Sequence, residues 1–306
     1  MEETRAARGA SAEAIRHHYD VGNDFYRLWL DPTLTYSCAL WSEDDRDDML
    51  EIAQRRKIEH HAQWACARGA ERVLDIGCGW GAVLKHLVEE QGVRRAVGLT
   101  LSWEQAEWIA SFNHPGIEVR LESWTEHAPA GPYDAVVSIG AFEHFARPEM
   151  DDEQKVAAYR AFFARCHGWL RPGGRLSLQT IAYGDVDPAQ IRTSSQVRFI
   201  VQEIFPESEL PTLGQILQAS DGLFELVALR NDRENYERTC RVWCSRLTAQ
   251  RRQAVASAGA DVVARYVRYL RLSAAAFQFG QTCLLRVAFR RLDGRRNAAV
   301  ADIRAA

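Results

Sequence analysis

Several features are scarce in this 306-residue chain, and each scarcity excludes a class of protein. The seven cysteines are odd in number and lack paired metal-ligand spacing, which argues against a disulfide scaffold and against structural zinc. No apolar run reaches the roughly 18–20 residues of a transmembrane helix, and the amino terminus lacks the apolar core of a secretory signal. The net charge of −3 creates no strong field for nucleic acid. The sequence therefore predicts a cytoplasmic protein with free thiols, no metal and no nucleic-acid partner.

A glycine-rich turn is the feature around which the rest of the chain is organised. The apolar segment Val73–Ile76 is followed by glycines at positions 77, 79 and 81 and then by a helical pattern, so we predict a strand, a tight turn and a helix. Glycines at alternate positions allow positive φ angles and let a ligand lie directly against the main chain. The following helix directs its first N–H groups into the same space.

Two cofactors are compatible with this turn. The spacing of Gly77, Gly79 and Ala82 fits a dinucleotide site, but such a site also has an acidic residue about 20 positions later, at the end of the second strand. Here the second strand is followed by Thr100–Ser102, without a carboxylate. Asp75 instead precedes the first glycine, where it suits a ligand that carries an ammonium group. The pattern favours S-adenosylmethionine over NAD and leaves a ligand-free structural turn as a third interpretation.

Strands and helices alternate through the middle of the chain. Strands are predicted at Val73–Ile76, Ala96–Leu99, Ile117–Leu121, Tyr133–Ile139, Arg175–Ile181, Phe224–Leu229 and Thr282–Arg290, and the main helices at Gly81–Gln91, Trp103–Phe112, Asp152–Leu170, Glu234–Leu247 and Asp261–Phe279. This alternation predicts an α/β fold with a mostly parallel sheet and helices on both faces. Ligands bind at the carboxyl ends of such strands, so Gly77, Thr100, Trp124, Gly140 and Gln179 are expected near one rim.

The predicted domain organisation has an α/β domain with two flanking segments. Residues 1–68 form an N-terminal helical segment rich in aromatics, which is either a small satellite core or a lid. Residues 69–290 form the α/β domain, with a helical cover inserted at about 182–220 that either packs the domain or roofs a hydrophobic substrate. Residues 291–306 form a basic tail, either solvated or in contact with anionic lipid.

Six phrases, taken together in this order, are specific for one family. They are HYDVGNDFYRLWLDP at His18–Pro32, TYSCALW at Thr35–Trp41, LDIGCGWG at Leu74–Gly81, GLTLSWEQ at Gly98–Gln105, SIGAFEHF at Ser138–Phe145 and FIVQEIFP at Phe199–Pro206. Over roughly Ile15 to Gly280 the chain resembles the cyclopropane fatty acid synthases, including the mycolic acid cyclopropane synthases. This resemblance implies an S-adenosylmethionine-dependent enzyme with the Rossmann-like class I methyltransferase fold.

The resemblance and the pattern around the glycines together assign cofactor binding to eleven residues. They are Tyr36, Ser37, Asp75, Gly77, Gly79, Thr100, Leu101, Gln105, Ser123, Trp124 and Ile139. Gln105 would make the ribose contact that an acidic residue makes in many relatives, which accounts for the missing carboxylate after the second strand. Thr125 departs from the family pattern, because mycobacterial members usually have Glu beside the tryptophan.

The resemblance also implies the chemistry. Methyl transfer to the double bond of an unsaturated acyl lipid leaves a carbocation, which aromatic faces can stabilise and a dry pocket can protect from water. Loss of a proton from the new methyl group then closes a cyclopropane ring. Family members use a bound bicarbonate as the base for this last step.

The bicarbonate cradle implied by the resemblance contains Cys38, Glu143 and Tyr236, with the backbone at Ile139. By residue type alone, Cys38 is more typical of a small buried hydrophobe than of a site residue, and Glu143 is either a helix-start acid or a buried carboxylate with a raised pKa. A histidine in the family's LHT phrase is replaced here by Gln179, which can donate a hydrogen bond but cannot relay a proton. No other histidine has an evident claim to this role, and replacing Gln179 with His is expected to be tolerated or to raise turnover.

Three functions are compatible with these observations. The expected one is cyclopropane formation on an unsaturated acyl lipid. Gln179 keeps open a C-methyltransferase that leaves a methyl-branched or methyl-alkene product on a lipid or secondary metabolite. A non-catalytic binding protein is the third, and the retention of Cys38, Glu143 and Tyr236 argues against it. The expected partners are an alkene substrate, the inner membrane face as a peripheral contact, and a second copy of the chain in a homodimer.

Overall fold

A computed structural model describes residues 21–42 and 48–293 of the chain. Residues 1–20 of the predicted N-terminal segment and residues 294–306 of the predicted basic tail lie outside this range, as do residues 43–47. Within the described ranges, no helix combines the length and apolar character that crossing a membrane requires.

The described part of the chain contains eleven helices and seven strands. The helices are α1 Asn23–Arg27, α2 Leu50–Trp64, α3 Ala82–Glu89, α4 Trp103–Ala110, α5 Asp152–Trp169, α6 Pro188–Arg192, α7 Ser195–Glu203, α8 Leu213–Ser220, α9 Arg233–Ala249, α10 Arg251–Ala258 and α11 Ala260–Gln278. The strands are β1 Arg72–Ile76, β2 Arg95–Thr100, β3 Ile117–Leu121, β4 Tyr133–Ile139, β5 Leu170–Tyr183, β6 Phe224–Asn231 and β7 Thr282–Arg291. A short 3₁₀ turn, Phe142–His144, follows β4.

The seven strands form one sheet in the order β3-β2-β1-β4-β5-β7-β6. Strands β1 to β5 pair in parallel, and β7 runs antiparallel to both of its neighbours. Successive strands are added on one side of β1 as far as β3, and the chain then crosses to the other side of β1, where β4 is its hydrogen-bonded neighbour. In such sheets the crevice outside the carboxyl ends of these two strands is where ligands bind. The predicted mostly parallel α/β fold is confirmed.

Helices cover both faces of the sheet. On one face, α2 and α3 pack against the valines of β1 and β4. On the other face, α5 and α8 pack against the leucines of β5 and the phenylalanines of β6 and β7. Because both faces are buried, the central strands read as nearly continuous apolar runs rather than as alternating ones.

A third cluster of buried side chains joins the N-terminal segment to α9, α10 and α11. It contains Phe25, Tyr26 and Trp29 of α1, together with Trp243 of α9 and Tyr266 of α11. The ring centroids of Trp29 and Trp243 lie 5.7 Å apart in an edge-to-face arrangement, and Tyr26 donates to or accepts from the Tyr266 hydroxyl at 2.8 Å. Aromatic pairs of this kind hold α1 against the helical layer and close the space beside the carboxyl ends of the strands.

Two elements differ from the sequence prediction. Strand β5 begins at Leu170, directly after α5, whereas the sequence predicted that this strand begins at Arg175. Leu170 pairs with Tyr133 across an irregularity in the β4–β5 register, which lets the extended backbone absorb Pro172 and a glycine at φ +71°. Helix α10 was not predicted, because its arginine, glutamine and alanine residues give no apolar periodicity.

Candidate active site

A cavity of about 460 Å³ opens at the carboxyl ends of β1, β2 and β4. All eleven residues predicted to bind the cofactor line it: Tyr36, Ser37, Asp75, Gly77, Gly79, Thr100, Leu101, Gln105, Ser123, Trp124 and Ile139. The N-terminal segment contributes the first two, and the sheet edge contributes the rest. The structure thus brings these residues together, although their individual roles in binding stay predictions.

The glycine turn allows the main chain to approach both the cavity and the 3₁₀ turn after β4. Gly77 has a φ of +79°, and a Cβ atom placed on it would lie 2.5 Å from the Cβ of Ala141. The N–H groups of Gly77 and Cys78 both donate to the carbonyl of Leu99, each at 3.0 Å. A side chain at position 77 would therefore force β1 and the segment after β4 apart.

Asp75 is a buried carboxylate without a partner. It lines the cavity, is 1% exposed, and neither of its oxygens accepts a hydrogen bond from any residue that the structure describes. Burial raises the pKa of Asp75 to about 7. Buried polar atoms are almost always hydrogen-bonded, so this carboxylate fits a ligand that brings its own donor, such as an ammonium group.

Gln105 is oriented by its neighbours at the start of α4. The hydroxyl of Thr100 donates to its Oε1 at 2.7 Å, and its backbone N–H donates to the Ser102 side chain, which caps the helix. Among the described residues its amide nitrogen has no partner and is left to donate to a ligand. This arrangement is consistent with the predicted contact to a ribose hydroxyl.

Trp124, three residues after the end of β3, also lines the cavity. Its ring packs against Phe145 at 5.1 Å and Phe162 at 5.7 Å between centroids, which fixes its plane. The hydroxyls of Ser123 and Thr125 lie 2.9 Å apart beside it. Thr125, where the family usually has Glu, therefore interacts within its own loop as well as facing the cavity.

Helix α2 holds the N-terminal side of the cavity in place. Its buried Gln54 donates to the carbonyls of Thr35 and Ser37 at 3.2 and 2.8 Å. Lys57, one turn later, donates to the Ser37 hydroxyl at 2.9 Å, and burial followed by the nearby Arg286 lowers the pKa of Lys57 to about 7. Sequence reasoning missed both residues, although two polar side chains three apart on the buried face of a helix were a readable signal.

Glu143 lies in the 3₁₀ turn between two residues that line the cavity, Ala141 and His144. Its Oε1 accepts a hydrogen bond from the Ile181 N–H at 2.6 Å, whereas its Oε2 is buried without a partner in residues 21–42 and 48–293. Burial raises the pKa of Glu143 to about 7. A carboxylate with this pKa can hold or release a proton near neutral pH.

Cys38 and Tyr236 are buried and neutral, and Tyr236 lies near both Cys38 and Glu143. Burial raises the pKa of the Cys38 thiol to about 12, and the thiol donates to the Ala39 carbonyl at 3.1 Å. Burial also raises the pKa of Tyr236 well above its usual range, with the charge of Glu143 among the smaller causes. The ring of Tyr236 stacks on Phe277 at 4.5 Å. Both groups can serve as hydrogen-bond donors, and Cys38 is not a thiolate nucleophile at neutral pH.

Gln179 reaches the rim only through its backbone. Its carbonyl accepts from the Gly140 N–H at 2.9 Å, but its side chain does not line the cavity. Instead, its Oε1 accepts from Arg286 Nε at 2.9 Å and lies 3.2 Å from His61 Nε2. Arg286 also donates to the Cys38 carbonyl and forms a buried ion pair with Asp232. The sequence analysis missed His61 and Arg286, since nothing local in the sequence places α2 and β7 on this side of β5.

Comparison with known proteins agrees with this geometry. Residues 7–287 match the family model described as "Mycolic acid cyclopropane synthetase". The chain is 36% identical over 273 residues to the cyclopropane mycolic acid synthase 2 of Mycobacterium bovis, covering 85% of this chain and 88% of that protein.

Solved structures give the same result. The cyclopropane synthase MmaA2 from Mycobacterium tuberculosis superposes with a TM-score of 0.82 at 33% identity, covering 92% of this chain and 99% of that one. The mycolic acid cyclopropane synthase CmaA1, solved with SAH and CTAB, also gives 0.82 at 32% identity, with the same coverage. The family model matches nearly the whole chain, and the glycine turn and the unpartnered Asp75 agree with it. The chain therefore belongs to the mycolic acid cyclopropane synthetase family of S-adenosylmethionine-dependent methyltransferases.

Proposed function

We propose that this enzyme adds a one-carbon unit to the double bond of an unsaturated acyl lipid and closes a cyclopropane ring there. The observation that carries the proposal is the buried carboxylate of Glu143, whose Oε2 has no partner among the described residues and whose neighbours in sequence line the cofactor cavity. A site that adds a methyl group to an alkene and then removes a proton from it needs such a group. The relatives named cyclopropane mycolic acid synthases support a lipid substrate.

The residues around the cavity suit S-adenosylmethionine in three places. Asp75 can pair with the cofactor's ammonium group, and the amide nitrogen of Gln105 can donate to a ribose oxygen. The main chain at Gly77 and Gly79 lets the cofactor lie close to the backbone. Bound there, the cofactor supplies an electrophilic methyl group on a sulfonium centre.

An aromatic wall beside the cavity suits a carbocation on the substrate. Tyr36 lines the cavity, and its ring centroid lies 5.2 Å from that of Trp29 and 5.3 Å from that of Trp243. The negative faces of such rings attract a positive charge. Trp29 and Trp243 are fully buried, so the same residues keep out the water that would quench the cation.

Removal of the proton is assigned to Glu143. The electron pair of the broken C–H bond closes the three-membered ring, and the carboxylate keeps the proton until the site opens. Cys38 and Tyr236 are neutral donors that would orient an anion beside this carboxylate. Bicarbonate bound among these three residues would supply an additional proton acceptor.

Gln179 favours a second candidate, a C-methyltransferase that leaves a methyl-branched or methyl-alkene product. An amide can donate a hydrogen bond but cannot accept the proton as an imidazole would. If the proton were lost from the chain carbon that bears the new methyl group, instead of from the methyl group itself, its C–H electron pair would restore a double bond, and the product would be a methyl-alkene with the same mass as the cyclopropane.

Product analysis separates these functions. The protein is incubated with S-adenosylmethionine and vesicles of dioleoylphosphatidylglycerol, with dipalmitoylphosphatidylglycerol vesicles as the saturated control. The expected result is S-adenosylhomocysteine formation with the unsaturated lipid only, together with upfield cyclopropane protons in the NMR spectrum of the extracted lipid. Vinylic methyl signals would favour the second candidate. Absence of S-adenosylhomocysteine with either lipid would count against lipid alkylation.

A basic helical layer supports contact with an anionic membrane surface. Residues 233–278, which contain α9, α10 and α11, hold nine arginines and three acidic residues, a formal excess of six positive charges in a chain with a net charge of −3. Phe279, at the end of α11, is 75% exposed. Arginines and an exposed aromatic side chain are typical of surfaces that bind anionic headgroups. The layer also packs over the aromatic cluster, so a membrane-bound lipid would be close to the cavity.

A further inference from the structure

A buried imidazole that the proposed mechanism does not use lies directly behind the predicted base site. His61 of α2 is fully buried, and its Nε2 lies 3.2 Å from Gln179 Oε1. Its Nδ1 lies 2.8 Å from Ser177 Oγ. Ser177 and Gln179 are two residues apart on β5, so both side chains point to the face that α2 covers.

Arg286 determines which end of the Gln179 amide faces this cluster. The two residues are direct partners across the antiparallel β5–β7 pair, and Arg286 Nε donates to Gln179 Oε1 at 2.9 Å. A guanidinium group has donors only, so the atom that it meets must be the amide oxygen rather than the nitrogen. The ion pair with Asp232 and the hydrogen bond to the Ala39 carbonyl hold the guanidinium in this position.

The orientation of the amide then determines the tautomer of His61. Because Gln179 presents its oxygen, His61 Nε2 must carry the hydrogen and donate it. Burial lowers the pKa of His61 well below its usual range, so the ring is neutral and its Nδ1 is an acceptor. Ser177 completes the chain by donating its hydroxyl to Nδ1. Both hydrogen bonds of His61 therefore run in one direction, from Ser177 through His61 to Gln179.

The nitrogen of the Gln179 amide takes no part in these hydrogen bonds. Both hydrogen bonds of the side chain use the oxygen, and the nitrogen has no partner in the part of the chain that the structure describes. The same Arg286 that holds the oxygen also donates to the Cys38 carbonyl, at 3.3 Å. The amide nitrogen is therefore fixed as a donor in the neighbourhood of the predicted base site.

We infer that His61 is a positioning residue for proton removal: together with Arg286 it holds the Gln179 amide so that its N–H₂ group faces the base. This inference rests on the proposed function. The resemblance implies an imidazole at position 179 of β5, and here an imidazole lies one side chain further back, on α2. His61 acts through Gln179 and does not itself touch the substrate.

A matched pair of variants tests the role of the Nε2 donor. His61→Gln keeps an N–H donor near the position of Nε2, whereas His61→Leu fills a similar volume without one. We expect His61→Leu to lower kcat about 10-fold with an unchanged KM for S-adenosylmethionine, and His61→Gln to stay within about threefold of the unaltered protein. Equal loss in both variants, or a change in KM alone, would show that His61 only fills space.

Moving the imidazole provides a second test. Gln179→His alone places two imidazoles and the donor-only Arg286 around one point, so we expect a loss of turnover, contrary to the sequence expectation. The double replacement His61→Ala with Gln179→His makes room for the ring on β5 and is expected to recover most of the activity. Such a recovery is a non-additive coupling between contacting residues. Additive losses in the double variant would overturn the inference.

An NMR measurement without substrate tests the role of His61 independently of the proposed function. In the ¹⁵N-labelled protein, His61 is assigned by its disappearance in His61→Gln and is expected to be the Nε2–H tautomer without titration between pH 5.5 and 8. An Nδ1–H tautomer, or titration in this range, would refute the positioning role even if the enzyme made cyclopropanes. The expected tautomer in a protein inactive on dioleoylphosphatidylglycerol would instead count against that substrate.

Discussion

At the scale of single residues, two buried carboxylates, Asp75 and Glu143, lie at the predicted cofactor site and the predicted base site. Each has at least one oxygen with no partner among the described residues, and burial raises the pKa of each to about 7. A buried carboxylate without a partner destabilises a folded protein. The roles proposed for these residues, a partner for the cofactor's ammonium group at Asp75 and a proton acceptor at Glu143, would account for both unpartnered carboxylates.

Replacing Glu143 with Gln removes the proton acceptor and keeps the shape of the side chain. We expect turnover to fall at least 100-fold while the Kd for S-adenosylmethionine stays within about twofold, because Glu143 does not line the cofactor cavity. The measurements are S-adenosylhomocysteine formation and calorimetric titration. Glu149→Gln, at an exposed site in the same loop, is the control and should change neither quantity. Full turnover in Glu143→Gln would refute its role as the base.

The pH dependence of turnover follows from the same residue. Glu143 accepts a proton only when ionised, and burial raises its pKa to about 7. We therefore expect kcat to rise about tenfold per pH unit below pH 7 and to level off above it. Saturating S-adenosylmethionine removes the contribution of Asp75, whose pKa lies in the same range. A rate that does not change between pH 5.5 and 8.5 would contradict the assignment.

Asp75→Asn is expected to stabilise the fold and to weaken the binding of S-adenosylmethionine. Because the pKa of Asp75 is about 7 in the folded protein and 3.8 normally, the folded state binds this proton more tightly, and stability falls as the pH rises from about 4 to 7. Asparagine removes this loss, so Tm at pH 8 should increase by a few degrees, while the Kd for S-adenosylmethionine should weaken at least tenfold. Thermal unfolding and calorimetry measure the two effects, with the exposed Asp185→Asn as control. A lower Tm with unchanged Kd would be the contradictory outcome.

At the scale of elements, α2 holds several parts of the site in place through buried polar side chains. Gln54, Lys57 and His61 recur every three to four residues, so they form one buried polar stripe on the helix. The first two hold the segment at Thr35 and Ser37 against the cavity, and the third holds Gln179. A helix that would otherwise bury apolar residues here thus supports both the cofactor side and the base side of the site.

The glycine turn gives an element-scale prediction with an internal control. Gly77 and Gly79 both have positive φ, but a Cβ atom at Gly77 would lie 2.5 Å from Ala141, whereas nothing lies within 4 Å of one at Gly79. Gly79→Ala should cost roughly 1 kcal/mol of backbone strain, and Gly77→Ala roughly 1–3 kcal/mol more. Urea unfolding measures both, and cofactor binding should weaken in both variants, because Gly79 also lines the cavity. Equal destabilisation would mean that the close approach to Ala141 can relax without cost.

Most of the helices and strands could be predicted from the sequence, because the spacing of apolar residues and the glycine and proline residues that end an element are local properties. The glycines after β1 and the apolar runs of β1, β2 and β4 predicted the sheet edge at which the cavity lies, whereas Tyr36 and Ser37 were assigned to it through the family resemblance. The environment of Gln179 could not be predicted in this way. Its partners Arg286 and His61 lie 107 and 118 positions away in sequence, and only the packing of α2 and the antiparallel register of β7 bring them to β5.

At the scale of the whole molecule, charge and burial are distributed unevenly. Residues 233–278 have a formal excess of six positive charges, although Arg246 and Arg265 pair with Glu51 and Glu203 from outside this segment. Beneath this layer lies the aromatic cluster that closes the space next to the cavity. A lipid approaching from an anionic surface would therefore meet attraction first, and then apolar and aromatic side chains.

Reversing two charges in this layer tests whether it binds membranes. Arg251 and Arg252 of α10 are exposed and belong to the layer, so Arg251→Glu with Arg252→Glu should weaken binding to dioleoylphosphatidylglycerol vesicles at least tenfold, at roughly 1 kcal/mol per removed charge. Vesicle sedimentation at 50 and 200 mM salt measures it, and binding of the unaltered protein should fall with salt because the attraction is screened. Arg68→Glu with Lys85→Glu makes the same charge change at exposed sites outside the layer and should have a smaller effect. Equal weakening by both pairs would show that net charge, rather than this surface, determines binding.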